Sequence, residues 1–176
     1  MLKRLLFGVV ATIGLAAAAG GGFWAWTCPC DGVPGFVLRG DRAEQQVSDW
    51  SFANDVPLCQ IQISVGWRPH SVNLNCMATP EGELFLSCSV GAQKYWCPKV
   101  GPDQAGRLRL DGVVYPVVLN RVTAPAVMDR AWAARLSKLQ KPEVQAVQPG
   151  SGAAPPLDAP RPDHWWTFQV RSAAAG

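Results

Sequence analysis

Lys3 and Arg4 are followed by a stretch with no charged residue until Asp31. Its centre, residues 5–26 (LLFGVVATIGLAAAAGGGFWAW), is long enough to cross a bilayer, because a spanning helix needs about 20 mostly apolar residues. The cations in front predict a cytoplasmic N-terminus. Phe23, Trp24 and Trp26 fall where an aromatic belt would mark the far interface. On this reading residues 1–26 are a single-pass anchor in the cytoplasmic (inner) membrane, and the rest of the chain is extracytoplasmic. A cleaved signal peptide is the competing reading: residues 5–19 fit an h-region, and the alanines before Gly20 fit a small-residue cleavage site. Both readings export the remainder, and the interfacial depth of FWAW favours a retained anchor. Trp26 and Thr27, bulky and polar, argue against a lipoprotein signal at Cys28. No polar face interrupts the stretch, as one would on an amphipathic core helix.

What remains is about 150 residues, one ordinary domain with a core of its own. A formal charge of +3 gives no case for nucleic acid, and no Lys/Arg cluster follows the apolar segment. The six cysteines (28, 30, 59, 76, 88 and 97) are an even number in an exported chain, so disulfides are permitted. None of the spacings is CxxC or CxxCH, which disfavours a thioredoxin-type site and a covalent haem. Cys28 and Cys30 could bind a soft metal such as Cu(I), but no third ligand lies nearby. Disulfides from this pair to other cysteines, or an incidental pairing in sequence with no role, are the expectation.

Residues 27–46, rich in Gly, Pro and charge, read as a tether, and residues 47–171 as the domain. Period-two alternation begins at once. Gln60, Gln62 and Ser64 alternate with Ile61, Ile63 and Val65; Gly66-Trp67-Arg68-Pro69 turns the chain; and residues 70–77 (HSVNLNCM) alternate again. Residues 79–82 (TPEG) make a turn into a return strand over 84–90. Cys76 and Cys88 share the apolar face with Leu74, Leu84 and Leu86, as a cross-strand disulfide or as two buried thiols. Asp111-Gly112 marks a type I′ hairpin between 107–110 and 113–120, and Pro116 demands an edge or bulge in the second strand. Thr123 as N-cap and Pro125 in the first turn begin a helix whose Met128, Trp132, Leu136 and Leu139 form a core-facing stripe. Residues 141–164 read as a long Pro/Ala/Gly loop, 165–170 as a last strand, and 172–176 as a frayed tail. Six strands and one principal helix argue for a small mainly-β barrel, since closing the sheet removes exposed edges.

The run PHSVNLN (69–75), the hairpin EGELFLSCS (81–89), GAQK (91–94), GRLRLDGVVYPV (106–117) and RVTAPAVMDRAW (121–132) together resemble the FMN-binding split β-barrel superfamily. This is the pyridoxamine 5′-phosphate oxidase-like group, which also holds deazaflavin-dependent reductases. The likeness covers roughly residues 47–171 and lies in the order of elements rather than in one diagnostic motif. It implies a six-stranded split barrel, FMN or a deazaflavin as cofactor, a small-molecule substrate, a homodimer and flavin- or deazaflavin-dependent oxidoreductase activity. Carried over to this chain, Ser71, Asn73, Ser87 and Ser89 would contact the ring and ribityl oxygens, and Lys94 would neutralise the phosphate. Alternation alone produces the same polar face on an ordinary antiparallel sheet. His70, at the start of the second strand, is the candidate proton donor. Fold analogy is a weak warrant for chemistry, so a non-catalytic extracytoplasmic barrel that binds a ligand or a protein stands as the alternative.

Overall fold

One extended run of chain, residues 68–78, supplies both edges of the barrel sheet. The computed structural model describes residues 2–30, 32–147 and 153–174. Met1 of the anchor, Asp31 of the tether, 148–152 of the expected loop and 175–176 of the expected tail lie outside the described residues. The strands are β1 (Asp41–Arg42), β2 (Cys59–Val65), β3 (Arg68–Leu74), β4 (Cys76–Ala78), β5 (Leu84–Cys88), β6 (Gln104–Leu110), β7 (Val113–Val122) and β8 (Trp166–Ser172). Helices are α1 (Leu2–Thr27), α2 (Pro125–Leu139) and the short α3 (Pro142–Gln145), which falls within the expected loop. The sheet runs β3-β2-β6-β7-β8-β5-β4, antiparallel throughout, with the two-residue β1 parallel to β7.

β3 and β4 stand at opposite ends of that order, yet only Asn75 separates them in sequence. The sheet therefore curls until its two ends meet. Ser87 N–H stitches the seam by donating to the Asn75 carbonyl at 2.9 Å. Six strands were expected, and the curled path has seven. The cause is that residues 70–77 change partner midway, β3 pairing with β2 and β4 with β5. Leu74 and Cys76 both stay buried across the break, so the alternation passes through it unmarked.

Turns follow the backbone demands of their residues. Asp111 and Gly112 both take positive φ (46° and 83°), as a type I′ hairpin requires. Gly66 (φ 62°) and Gly82 (φ 81°) serve the turns after β2 and before β5. Pro116 sits where β7 exchanges β1, paired at Val113–Val114, for β8, paired from Val117. The last strand runs on through Ser172, and Ala173 donates to the Pro116 carbonyl at 2.9 Å.

Inside the curl, Cys59, Ile61, Ile63, Leu84, Leu86, Leu108, Leu119 and Phe168 are fully buried in one cluster. A fully buried aliphatic or aromatic side chain of this size contributes roughly 1.5–3 kcal/mol. A second cluster forms on the outer face of β4 and β5, where Met77 and Phe85 pack under Ala131 and Ala134 of α2 and beside Trp165. On α2, Ala124 rather than Thr123 takes the N-cap position, with no side-chain cap. Of the expected stripe, Leu136 and Leu139 are buried, while Met128 and Trp132 are half-buried.

Three disulfides form: Cys59–Cys76, Cys88–Cys97 and Cys28–Cys30, with Cα separations of 5.9, 6.6 and 4.6 Å. Cys76 and Cys88 are thus neither paired to each other nor free. The register sets Leu86, not Cys88, opposite Cys76. Cys28 and Cys30 close on each other, against the expectation that they would pair elsewhere.

Both sheet edges are occupied. Gly35 and Ser71 exchange backbone hydrogen bonds of 2.8 and 3.1 Å along β3. Along β4 the Asn54 side chain pairs with the backbone of Ala78, 2.9 Å in each direction. Each cap blocks one position of an edge that could otherwise pair with another chain. The stretch read as a tether is in fact laid across the outer face of the sheet. Gln60 donates to the Pro29 carbonyl (3.2 Å), Leu38 N–H to the Gln62 side chain (2.7 Å) and Arg109 to the Arg39 carbonyl (2.6 Å). Gly35 is required there, because a Cβ would lie 2.3 Å from the Cys28 carbonyl carbon.

Candidate functional site

The residues singled out in the sequence lie on both sides of the seam. Ser71 and Asn73 are on β3, and Ser87 on β5 meets the seam at Asn75. Asn75 is four residue steps along the chain from Ser71, roughly 13 Å in extended backbone. Ser71 is fully buried, its backbone bonded to Gly35 and its hydroxyl without a hydrogen-bond partner. Asn73 accepts from the Gln60 amide at 2.9 Å. The Ser87 hydroxyl accepts from the Trp165 indole N–H at 2.7 Å, a buried pair. Ser89 and Lys94 are exposed. Approach to the two buried serines from outside is therefore limited by the chain's own strap on one side and by Trp165 on the other.

His70 is buried in contact with the edge of Tyr95, ring centroids 5.0 Å apart, and Lys99 lies over the same ring at 4.8 Å. Burial, with the Arg68 charge adding to it, lowers the His70 pKa and favours the neutral imidazole. Arg109 is committed to the strap through Gln60 and Arg39.

A different place gathers polar chemistry around an open volume. Between α2, the 3₁₀ turn Ser51–Asp55 and the β4–β5 turn is a cleft of about 520 Å³, lined among others by Ser51, Thr79, Arg130, Ser137, Lys138 and Lys141. Lys138 is only 4 % exposed. Its ammonium donates to the Ala53 carbonyl at 2.6 Å and lies 3.6 Å from the Cys76 sulfur. Desolvation, reinforced by the Lys141 charge and opposed by Asp55, brings its pKa down to about 8. Lys141 donates to the Asn54 carbonyl (3.1 Å) and pairs with Asp55 (2.8 Å), while Arg130 pairs with Glu83 (3.2 Å). Under the helix, Arg135 shares a niche with Lys138, Asn75 and Cys76. Its Nε and one terminal nitrogen are buried with no hydrogen-bond partner, and burial lowers its pKa. Glu81 is the carboxylate among the lining residues, and Asp55 and Glu83 neutralise two of the three lining cations from outside it.

These residues were missed because the helix was read through its large apolar side chains. The available signal was the spacing Ala131, Ala134, Lys138, which puts a lysine on the face that small residues press to the sheet. No group of three or more His, Cys, Asp or Glu suited to a metal occurs among the described residues.

No family model matches the chain, and no curated protein does. Among solved structures, the chain is similar to a protein of unknown function from Agrobacterium tumefaciens (13 % identity, 66 % of this chain, TM-score 0.44). It spans 48 % of that protein's length. It is also similar to a provisionally assigned pyridoxamine 5′-phosphate oxidase from Listeria innocua (10 % identity, 70 % of this chain and 89 % of that one, TM-score 0.43). An FAD binding protein from Mycobacterium smegmatis is a further likeness (12 % identity, 72 % of this chain and 97 % of that one, TM-score 0.40).

Proposed function

We infer that the chain is a membrane-anchored, extracytoplasmic barrel that binds a small organic anion, such as a phosphate monoester or a carboxylate, in the cleft beside α2. The observation that carries this reading is the buried Lys138 on the wall of this cleft of about 520 Å³: its ammonium bonds a carbonyl and a sulfur rather than a carboxylate, while its neighbours Lys141 and Arg130 hold Asp55 and Glu83. Buried cations are normally paired, since desolvation otherwise outweighs what they gain, and for Lys138 a bound anion would supply that pairing. Serine and threonine hydroxyls around the mouth can complete the contacts to phosphate or carboxylate oxygens. Export is supported by the N-terminal apolar helix and by three disulfides.

A flavin- or deazaflavin-dependent oxidoreductase is the second reading, favoured by the single bent strand that closes a split sheet. One experiment separates the two. The full chain is extracted in detergent, its copurifying mass and visible spectrum are recorded, and thermal unfolding is followed with phosphate monoesters, dicarboxylates, neutral analogues, FMN and a deazaflavin. The binding reading expects the anions, and not their neutral analogues, to raise Tm, because a ligand that binds only the native state stabilises it. K138M should abolish that rise. Protection by FMN or deazaflavin alone, or flavin absorbance in the purified protein, would establish the second reading and overturn the first.

A further inference from the structure

The last turn of α1 is fastened to the barrel rather than joined to it by a free linker. Trp24 donates its indole N–H to the Pro34 carbonyl at 2.9 Å, and the Arg39 guanidinium lies 3.9 Å over the Trp26 ring. Residues 28–34 could reach over 20 Å if extended, at about 3.4 Å per residue. Instead Cys28 is buried against Gly35, and Gly35 pairs with Ser71 on β3. Leu38 and Arg39 then bond to β2 and β6. The segment from Leu6 to Thr27 is long and apolar enough to span a bilayer, with Phe23 and Trp26 exposed at its end. In a bilayer these aromatics sit at the interface, and the headgroup layer beyond the hydrocarbon is only roughly 5–8 Å deep on each side. A face fastened to that turn has nowhere else to lie.

We propose that the strap-covered outer face of β2, β3 and β6 is turned to the extracytoplasmic leaflet, and that Arg107, Arg68 and Trp67, which the strap leaves exposed, engage the headgroups and phosphates of anionic lipids. Charge distribution fits this partner. Along these strands the exposed outward cation is Arg107, Arg109 being held by the strap, and the strands carry no carboxylate; Asp41 and Glu44 follow the strap, and Asp55, Glu81 and Glu83 lie on the α2 side. The tip of the same β2–β3 hairpin presents Trp67, 91 % exposed, beside Arg68. An indole sits favourably at headgroup depth, and the guanidinium beside it can pair with a lipid phosphate through two parallel N–H donors. The strap also explains why Ser71, Gln60 and Gln62 can be covered without an outside partner: the chain itself fills the space between helix and sheet.

The inference rests on the anchored reading, and the test keeps the two apart. The full chain is reconstituted into bilayer nanodiscs of phosphatidylcholine with or without phosphatidylglycerol. A fluorophore is attached at S64C or R107C on the outer sheet face, or at A133C on the exposed side of α2, and is quenched by a headgroup-linked quencher. Quenching at Ser64 and Arg107 is expected to exceed that at Ala133 several-fold, and phosphatidylglycerol should increase it. In the chain labelled at S64C, W67A with R68Q should remove the lipid-dependent increase while leaving the helix inserted. Equal quenching at the three positions, or no effect of anionic lipid, overturns the proposal. Release of the chain from membranes by alkaline carbonate would instead overturn the anchored reading itself.

Discussion

Cys59 and Cys76 are joined across the corner at which the sheet meets itself, one at the start of β2 and the other at the first residue of β4. The bond ties the strand beside one edge to the strand that forms the other, from inside the core. It closes a loop of sequence separation 17, for which chain-entropy arguments give about 3 kcal/mol. C59A/C76A should lower the unfolding free energy by that amount in denaturant titrations. Reductant should shift the wild-type midpoint the same way and leave the variant's position unchanged with respect to this bond. Equal midpoints for wild type and variant would show that the corner holds without its staple.

Lys138 makes stability depend on pH in an unusual window. Its amine titrates at about 8 in the native state against 10.5 in the unfolded chain. Between those values the unfolded chain holds a proton that the native state has lost, so stability rises with pH across the window. The size is about 3 kcal/mol, from 1.36 kcal/mol per unit. Below the window the burial penalty is fully present. Unfolding free energies of wild type and K138M, compared from neutral to alkaline pH, should diverge by that amount in favour of wild type. A parallel pair of curves would mean that the amine is not desolvated.

The Trp165–Ser87 hydrogen bond is buried, and S87A leaves the indole N–H without an acceptor. An unsatisfied buried donor costs about 1–3 kcal/mol. Adding W165F to S87A should cost less than the sum of the single changes, because the second removes the donor that the first orphaned. The loss should be the same with and without added FMN. A loss seen only in the presence of FMN would place Ser87 on a cofactor instead.

Gly35 has no room for a side chain against Cys28. G35A should cost about 1–3 kcal/mol by overpacking. It should also lift the strap, exposing the bond after Arg39 to trypsin while the barrel stays protected. Unchanged cleavage would mean that the strap is held by contacts other than this crossing.

Much of the sheet was legible because its hairpins announce themselves. Asp111-Gly112 can hardly be anything but a tight turn, and the Gln60, Gln62, Ser64 alternation fixed which face of β2 is buried. The break at Asn75 was not legible, because a strand that changes partner without changing faces leaves period two intact. The strap was hidden for another reason. It holds on through backbone groups and isolated side chains, so it needs no hydrophobic rhythm. Disulfide pairing depends on which strands become neighbours, and spacing alone leaves it open. On α2, Leu136 and Leu139 drew attention from Lys138, which small neighbours let approach the sheet.

A second copy of this chain would meet sheet edges that are already partly taken. Gly35 bonds to Ser71 in the middle of one edge strand and Asn54 to Ala78 at the end of the other. A continuous ladder between two copies would have to displace the strap from the first and the Asn54 side chain from the second, so strand addition carries a cost that contacts through curved side-chain faces do not.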